Sequence, residues 1–169
     1  MNSHALNVIE FPRTLALISE RAGSPLGAER VRELRPLTDR DEIEREHARV
    51  AAVRSLLSAD EPWTLDGVPD ARSALTRLRV ERSTLGAPDL LILGALLRSS
   101  RLTRESLRGR ASPVATAVLS PQIELLFVNR ATEEVVERAI DEDGQVKDDA
   151  SSTLRKIRRE LKGSQGELI

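Results

Sequence analysis

Two parts of this 169-residue chain carry residue types that could do chemistry: an acidic run near the C-terminus and an arginine-rich block in the middle. Asp141, Asp143, Gly144, Asp148 and Asp149 together have the composition of a calcium loop. An EF-hand needs oxygen ligands at its first, third and fifth positions, glycine at the sixth and glutamate at the twelfth. Counted from Asp141, the fifth, sixth and twelfth positions are Gln145, Val146 and Ser152. Counted from Asp143, the third is Gln145 and the sixth is Asp148. Both registers fail, so the run is read as a turn followed by a helix start, where carboxylates sit favourably at the positive end of the helix dipole. Ser151 and Ser152 have no base near them, and helix capping accounts for them.

Other chemistries are removed by composition. The chain has no Cys and only two histidines, His4 and His47, which excludes thiolate metal sites and leaves no material for a histidine-based centre. His47 is placed on the apolar face of a helix, as a core or boundary residue. Lys occurs only at positions 147, 156 and 162, and no Gly-Lys-Ser or Gly-Lys-Thr ends a glycine-rich run, so no phosphate loop is present. The aromatics are Phe11, Trp63 and Phe127, too few and too dispersed to form a stacking platform for single-stranded nucleic acid. No catalytic residue, metal ligand or cofactor-binding residue is assigned.

The net charge of −1 conceals a pattern. Arg72 to Arg110 holds nine basic and three acidic residues, Ser120 to Ala150 three basic and nine acidic, and Ser151 to Ile169 five basic and two acidic. Complementary solvated helix faces are one reading of these blocks. The other is a basic strip facing nucleic acid or a partner, made of Arg72, Arg77, Arg79, Arg82, Arg98, Arg101, Arg104 and Arg108.

The elements that would position these residues are helical. Aromatic scarcity argues against an all-β fold. A first helical pattern runs from Leu6 to Ile18 with Pro12 interrupting it early, and Gly23 is expected to close it. Ser24 and Pro25 give a cap and first turn for a second helix that ends near Leu34. Thr38 and Asp41 open a longer helix whose face is Ile43, His47, Val50, Arg54 and Leu57. A linker from Asp60 to Pro69 carries Trp63, expected to pack over the bundle, and Asp70 is expected to cap a short helix with Leu75 and Leu78. Pro88 and Asp89 open a strongly apolar helix, and Ser120-Pro121 is a further cap-plus-first-turn signal. Asp143-Gly144 predicts a positive-φ pair and a small β-hairpin. Asp148 or Asp149 then caps a last helix, in which Leu154, Ile157 and Leu161 form an apolar stripe: core, or a seam against another helix or subunit. The expected fold is all-α, a multi-helix bundle of seven or eight helices with one short hairpin. The N-terminus does not read as a secretory leader and no apolar run is of spanning length, so a cytoplasmic location away from membranes is the expectation.

Several segments in order resemble one family: Leu6-Asn7-Val8-Ile9-Glu10-Phe11, Ser24-Pro25-Leu26-Gly27, Leu34-Arg35-Pro36, the stretch from Trp63 to Asp70, Leu85-Gly86, and Ile140 through Ser151 with Leu154, Ile157 and Arg158 beyond. The chain resembles the N-terminal region of the MutS-two proteins, bacterial relatives of the mismatch-repair ATPase MutS. The resemblance implies a helical core domain over residues 1–150 and the start of a lever helix over 151–169. It also implies a longer parent that is a dimeric ATPase using ATP and Mg, ends in an endonuclease domain, and acts on branched DNA or collided ribosomes to suppress recombination or rescue translation. None of that catalytic machinery maps onto the present residues, and Gly163 and Gly166 weaken the final helix. The expectation is therefore a non-catalytic core and lever segment, the front piece of a longer machine. The alternative is a free-standing helical adaptor that uses the Leu154, Ile157 and Leu161 seam.

Overall fold

A computed structural model describes residues 3–60, 62–65, 67–110 and 113–166. Its elements among these residues are nine α-helices: α1 (Ser3–Val8), α2 (Phe11–Ser19), α3 (Pro25–Arg32), α4 (Arg40–Leu57), α5 (Arg72–Leu78), α6 (Ala87–Arg110), α7 (Pro113–Leu125), α8 (Arg130–Ala139) and α9 (Ser152–Gly166). The fold is all-α, as composition and periodicity predicted. Internal contacts divide the chain into two compact units, 1–70 with 99–127 and 71–98 with 128–169, and the division falls inside α6 between Arg98 and Ser99.

In the first unit, Pro12 starts a helix instead of interrupting one. The chain breaks at Ile9 and Glu10, where Glu10 takes φ 53°, and Pro12 falls in the first turn of α2, where a missing N–H costs nothing. Gly23 does not close α2, which ends at Ser19. Ser24 caps α3 as expected: its Oγ accepts from Gly27 N at 3.0 Å, with Pro25 at the first helical position. The cap of α4 is Asp39, whose Oδ1 accepts from Glu42 N at 2.8 Å, in place of the predicted Thr38 and Asp41 pairing.

The main core of this unit joins Ala52 and Leu56 of α4, Leu107 of α6, and Ala115, Leu119 and Ile123 of α7, with Val53, Trp63, Val118 and Leu126 packed against it. The buried face of α4 is thus rotated from the predicted stripe, leaving His47, Val50, Arg54 and Leu57 exposed. The reason lies in the partner: α4 packs on α7, and the α4 residues that enter the shared core are Ala52 and Leu56. Pro121 lies inside α7 and does not start a helix. An interior proline costs about 3 kcal/mol, and burial of Leu119 and Ile123 on either side offsets it. Trp63 packs as predicted and donates from Nε1 to Ser106 Oγ at 3.0 Å, while its backbone N–H donates to Leu56 O.

In the second unit, Ala71 and Ala74 are buried around the start of α5, and the N-cap position is Ala71, not Asp70. The first part of α6 meets α8 at Gly94: a Cβ built there would stand 2.8 Å from Val136 Cγ1. Small–large interlocking of this kind lets two helix backbones approach closely. After α8 the predicted hairpin reduces to a single antiparallel bridge, Ile140 with Val146. Only Gly144 of the Asp143-Gly144 pair has positive φ, at 74°. The turn is held instead by Asp141, whose Oδ1 accepts from Asp143 N at 3.0 Å and Gln145 N at 2.7 Å. Among the described residues no longer β ladder forms. Residues 167–169 of the predicted lever segment lie outside the described residues.

Candidate functional site

The eight arginines singled out in the sequence have different fates. In the second unit, Arg77 Nη1 donates to Asp89 Oδ2 at 2.6 Å, and Asp89 is largely buried. Arg98 Nη1 reaches Glu137 Oε1 at 3.1 Å and so ties the first part of α6 to α8. Arg72, exposed at the first position of α5, is engaged as well, and its carbonyl accepts from Thr76 Oγ1 at 2.8 Å. Arg79 and Arg82 project from the turn that follows α5, both exposed. Arg82 adopts φ 61°, and its nearest acid is Glu81, 4.0 Å away and equally solvated.

Three of the eight belong to the first unit. Arg101 is mostly buried and pairs with Glu105 at 3.1 Å, and Arg104 Nη1 donates to Leu126 O at 3.3 Å while its buried Nε has no partner. Arg108 is exposed. A guanidinium already committed to a carboxylate or carbonyl has less to give a phosphate, so the charges left for an anionic partner are chiefly Arg79, Arg82 and Arg108.

The acidic run near the C-terminus is a joint between α8 and α9. Lys147 Nζ donates to Glu137 O at 2.8 Å, and its backbone N–H donates to Ala139 O at 2.9 Å. Arg158, one and a half turns into α9, reaches back to Val146 O at 3.1 Å and pairs with Asp148. Asp149 pairs with Arg155 at 3.7 Å. Neither aspartate caps the helix; Ser151 does, its Oγ accepting from Leu154 N at 3.1 Å. Gly144 fits beneath the first part of α6, where a Cβ would meet Pro88 and Leu91 at ordinary contact distance.

Beyond the joint, Leu154 is half-buried whereas Ile157 and Leu161 are 53% and 59% exposed. Ile157 and Leu161 are therefore not packed in a core among the described residues. The α9 backbone runs through Gly163 to Gly166.

Sequence reasoning missed the partners Asp89, Glu137 and Lys147, because nothing local marks a residue 12 or 39 positions from its mate. Gly94 did leave a signal: a glycine within an apolar helix costs about 1 kcal/mol relative to alanine, which invites a packing explanation. Among the described residues no group of three or more His, Cys, Asp or Glu is placed to hold a metal, and no helix is long and apolar enough to cross a membrane.

No family model matches the chain. Individual relatives do. It is 47% identical to "Endonuclease MutS2" of Gemmatimonas aurantiaca over all of its length and 21% of that protein's. It is 36% identical to "Endonuclease MutS2" of Thermus thermophilus over 93% of the chain and 20% of the relative. For the protein of the same name from Symbiobacterium thermophilum the figures are 31%, 96% and 20%. The chain thus spans about one fifth of the length of the curated relatives it matches. An all-helical architecture and near-complete coverage of the chain by these proteins lead to one conclusion: this chain belongs to the MutS2 family, as an N-terminal region of such a protein.

Proposed function

We propose that this segment is the non-catalytic structural core of a MutS2 protein, over residues 1–150, and that residues 151–169 begin a lever helix seated on it. The observation that carries the reading is the joint: the linker into α9 is fastened to α8 by Lys147 and to α9 by Arg158, with Ser151 capping the helix start. A helix held at its base transmits a rigid-body displacement where a loosely tethered one would absorb it. The endonuclease activity in the relatives' name, ATP with Mg, dimer formation and the nucleic-acid or ribosomal target belong, in this reading, to the whole MutS2 protein in a cytoplasm, and the segment relays motion between those parts.

The test uses a full-length MutS2 protein carrying Arg158→Gln with Asp148→Asn. Basal ATP turnover is expected to stay near wild type, while stimulation of turnover by branched DNA or by ribosomes falls. Unchanged stimulation would contradict the lever role, and ATP turnover by the 169-residue chain alone would contradict its non-catalytic status.

A second reading gives the basic block a direct nucleic-acid contact. With Arg79 and Arg82 exposed on the turn after α5, binding of branched DNA by the chain would be weak. Its log–log salt slope would be about −2, from roughly −0.9 per phosphate neutralised. Replacing both by glutamine should abolish the slope, and salt-independent binding would dismiss the contact.

A further inference from the structure

The first unit contains a cleft that neither the joint nor the arginine block uses. It has a volume of about 470 Å³ and is lined on one side by Leu6, Phe11 and Leu15, from α1 and α2, and on the other by Arg32 and Arg35, at and beyond the end of α3. Among the described residues no carboxylate lines it. Both arginines are exposed, and each makes hydrogen bonds within this unit. Arg32 Nε donates to Ser19 Oγ at 3.1 Å, and Ser19, 4% exposed, in turn donates to Ala16 O at 2.7 Å. Arg35 Nη1 donates to the carbonyls of Glu33 and Leu34 at 3.3 and 3.0 Å. A buried serine bonded to one arginine, an apolar wall, and no ion pair to either cation among the described residues make an arrangement that an anion with an apolar body would complete.

We infer that this cleft docks a polypeptide segment that presents a carboxylate beside a large apolar side chain. The carboxylate would take paired N–H bonds from Arg32 and Arg35, and the apolar side chain would cover Leu6, Phe11 and Leu15. Val8 and Ile9, which follow the cleft residues Leu6 and Asn7 in sequence, are 67% and 59% exposed, and apolar surface beyond the cleft itself suits a polypeptide better than a compact small molecule. The recognition resembles other acidic-segment binding by arginine pairs, with the apolar wall supplying orientation.

The experiment measures fluorescence anisotropy of a fluorescein-labelled twelve-residue helical peptide, leucines on one face and glutamates flanking them, titrated with the full 169-residue chain. Arg32→Gln with Arg35→Gln is expected to weaken binding about tenfold or more, as loss of charge-assisted pairs does. Arg32→Lys should weaken it too, because an ammonium cannot present the planar fork. Ser19→Ala should have a smaller effect in the same direction. A peptide with glutamine for glutamate should lose the affinity. Far-UV circular dichroism checks that each variant folds, and ¹⁵N-correlated NMR on the wild-type chain should place the shifts on the Arg32 and Arg35 side-chain signals. An equal loss from Arg79→Gln with Arg82→Gln would mean general electrostatics and overturn the site. Shifts produced by decanoate and not by the peptide would overturn the polypeptide assignment in favour of a small amphiphile. Self-association of the chain abolished by the Arg32 and Arg35 variants would overturn it in favour of a second copy.

Discussion

Replacing Gly94 by alanine pits two opposing effects of known size against each other. In an isolated helix the change gains about 1 kcal/mol, because alanine loses less backbone entropy. In this fold the new methyl would stand 2.8 Å from Val136 Cγ1 and 3.4 Å from Val136 Cβ. Valine within a helix has one strongly preferred χ1, so Val136 cannot turn its methyl aside cheaply. Overpacking of this kind costs about 1–3 kcal/mol, which exceeds the propensity gain, so Gly94→Ala should destabilise by about 1 kcal/mol net. In a Val136→Ala background the obstructing methyl is gone, and the same substitution should stabilise by about 0.5–1 kcal/mol. The coupling of the pair is then about 2 kcal/mol, well above the ~0.5 kcal/mol within which independent sites add. Urea denaturation of the four variants, followed by far-UV circular dichroism, measures it. If Gly94→Ala stabilises equally in both backgrounds, the close approach of α6 and α8 is wrong, and with it the placement of Glu137 beside Arg98 and Lys147.

Gly144→Ala should cost about 1–2 kcal/mol, because Gly144 holds φ 74° and a Cβ is strained there. Its surroundings are at ordinary contact distance, so Gly144→Asn should recover part of the loss in the same denaturation assay. Trp63→Phe removes the Nε1 bond to Ser106 while keeping most of the packing, and should lower stability by about 1 kcal/mol. Ser151→Ala deletes the cap of α9 at a cost of about 1 kcal/mol. Arg158→Gln loosens the joint without touching a core, so its signature is faster amide hydrogen exchange at the start of α9 with a change of no more than ~1 kcal/mol in global stability. Unchanged exchange would show that Arg158 does not fasten the helix.

Local chemistry determined a good deal on its own. Ser24-Pro25 marks a helix start because the cap oxygen and the missing N–H are both satisfied within one turn. Trp63, in a linker with Pro62, Gly67 and Pro69, marked a packed connection. Absence of cysteine and scarcity of histidine and aromatics excluded whole classes of site. The order of short segments from Leu6 to Arg158 carried the resemblance to the family, and the relatives that cover the chain bear it out.

Only the tertiary structure decided where charge and apolar surface end up. The predicted face of α4 was displaced because α4 buries Ala52 and Leu56 in a core shared with α6 and α7, and a periodic pattern on one helix does not reveal where its partners lie. Pro121 stayed inside α7 because burial on both sides outweighs one lost hydrogen bond. Asp148 proved to be an anchor for Arg158, ten residues away, and left the capping to Ser151. Charge counting showed a basic block but could not show that Arg77 and Arg98 are committed to Asp89 and Glu137. Pairing depends on distance in space, and residues 12 and 39 positions apart acquire that distance only when the helices have packed.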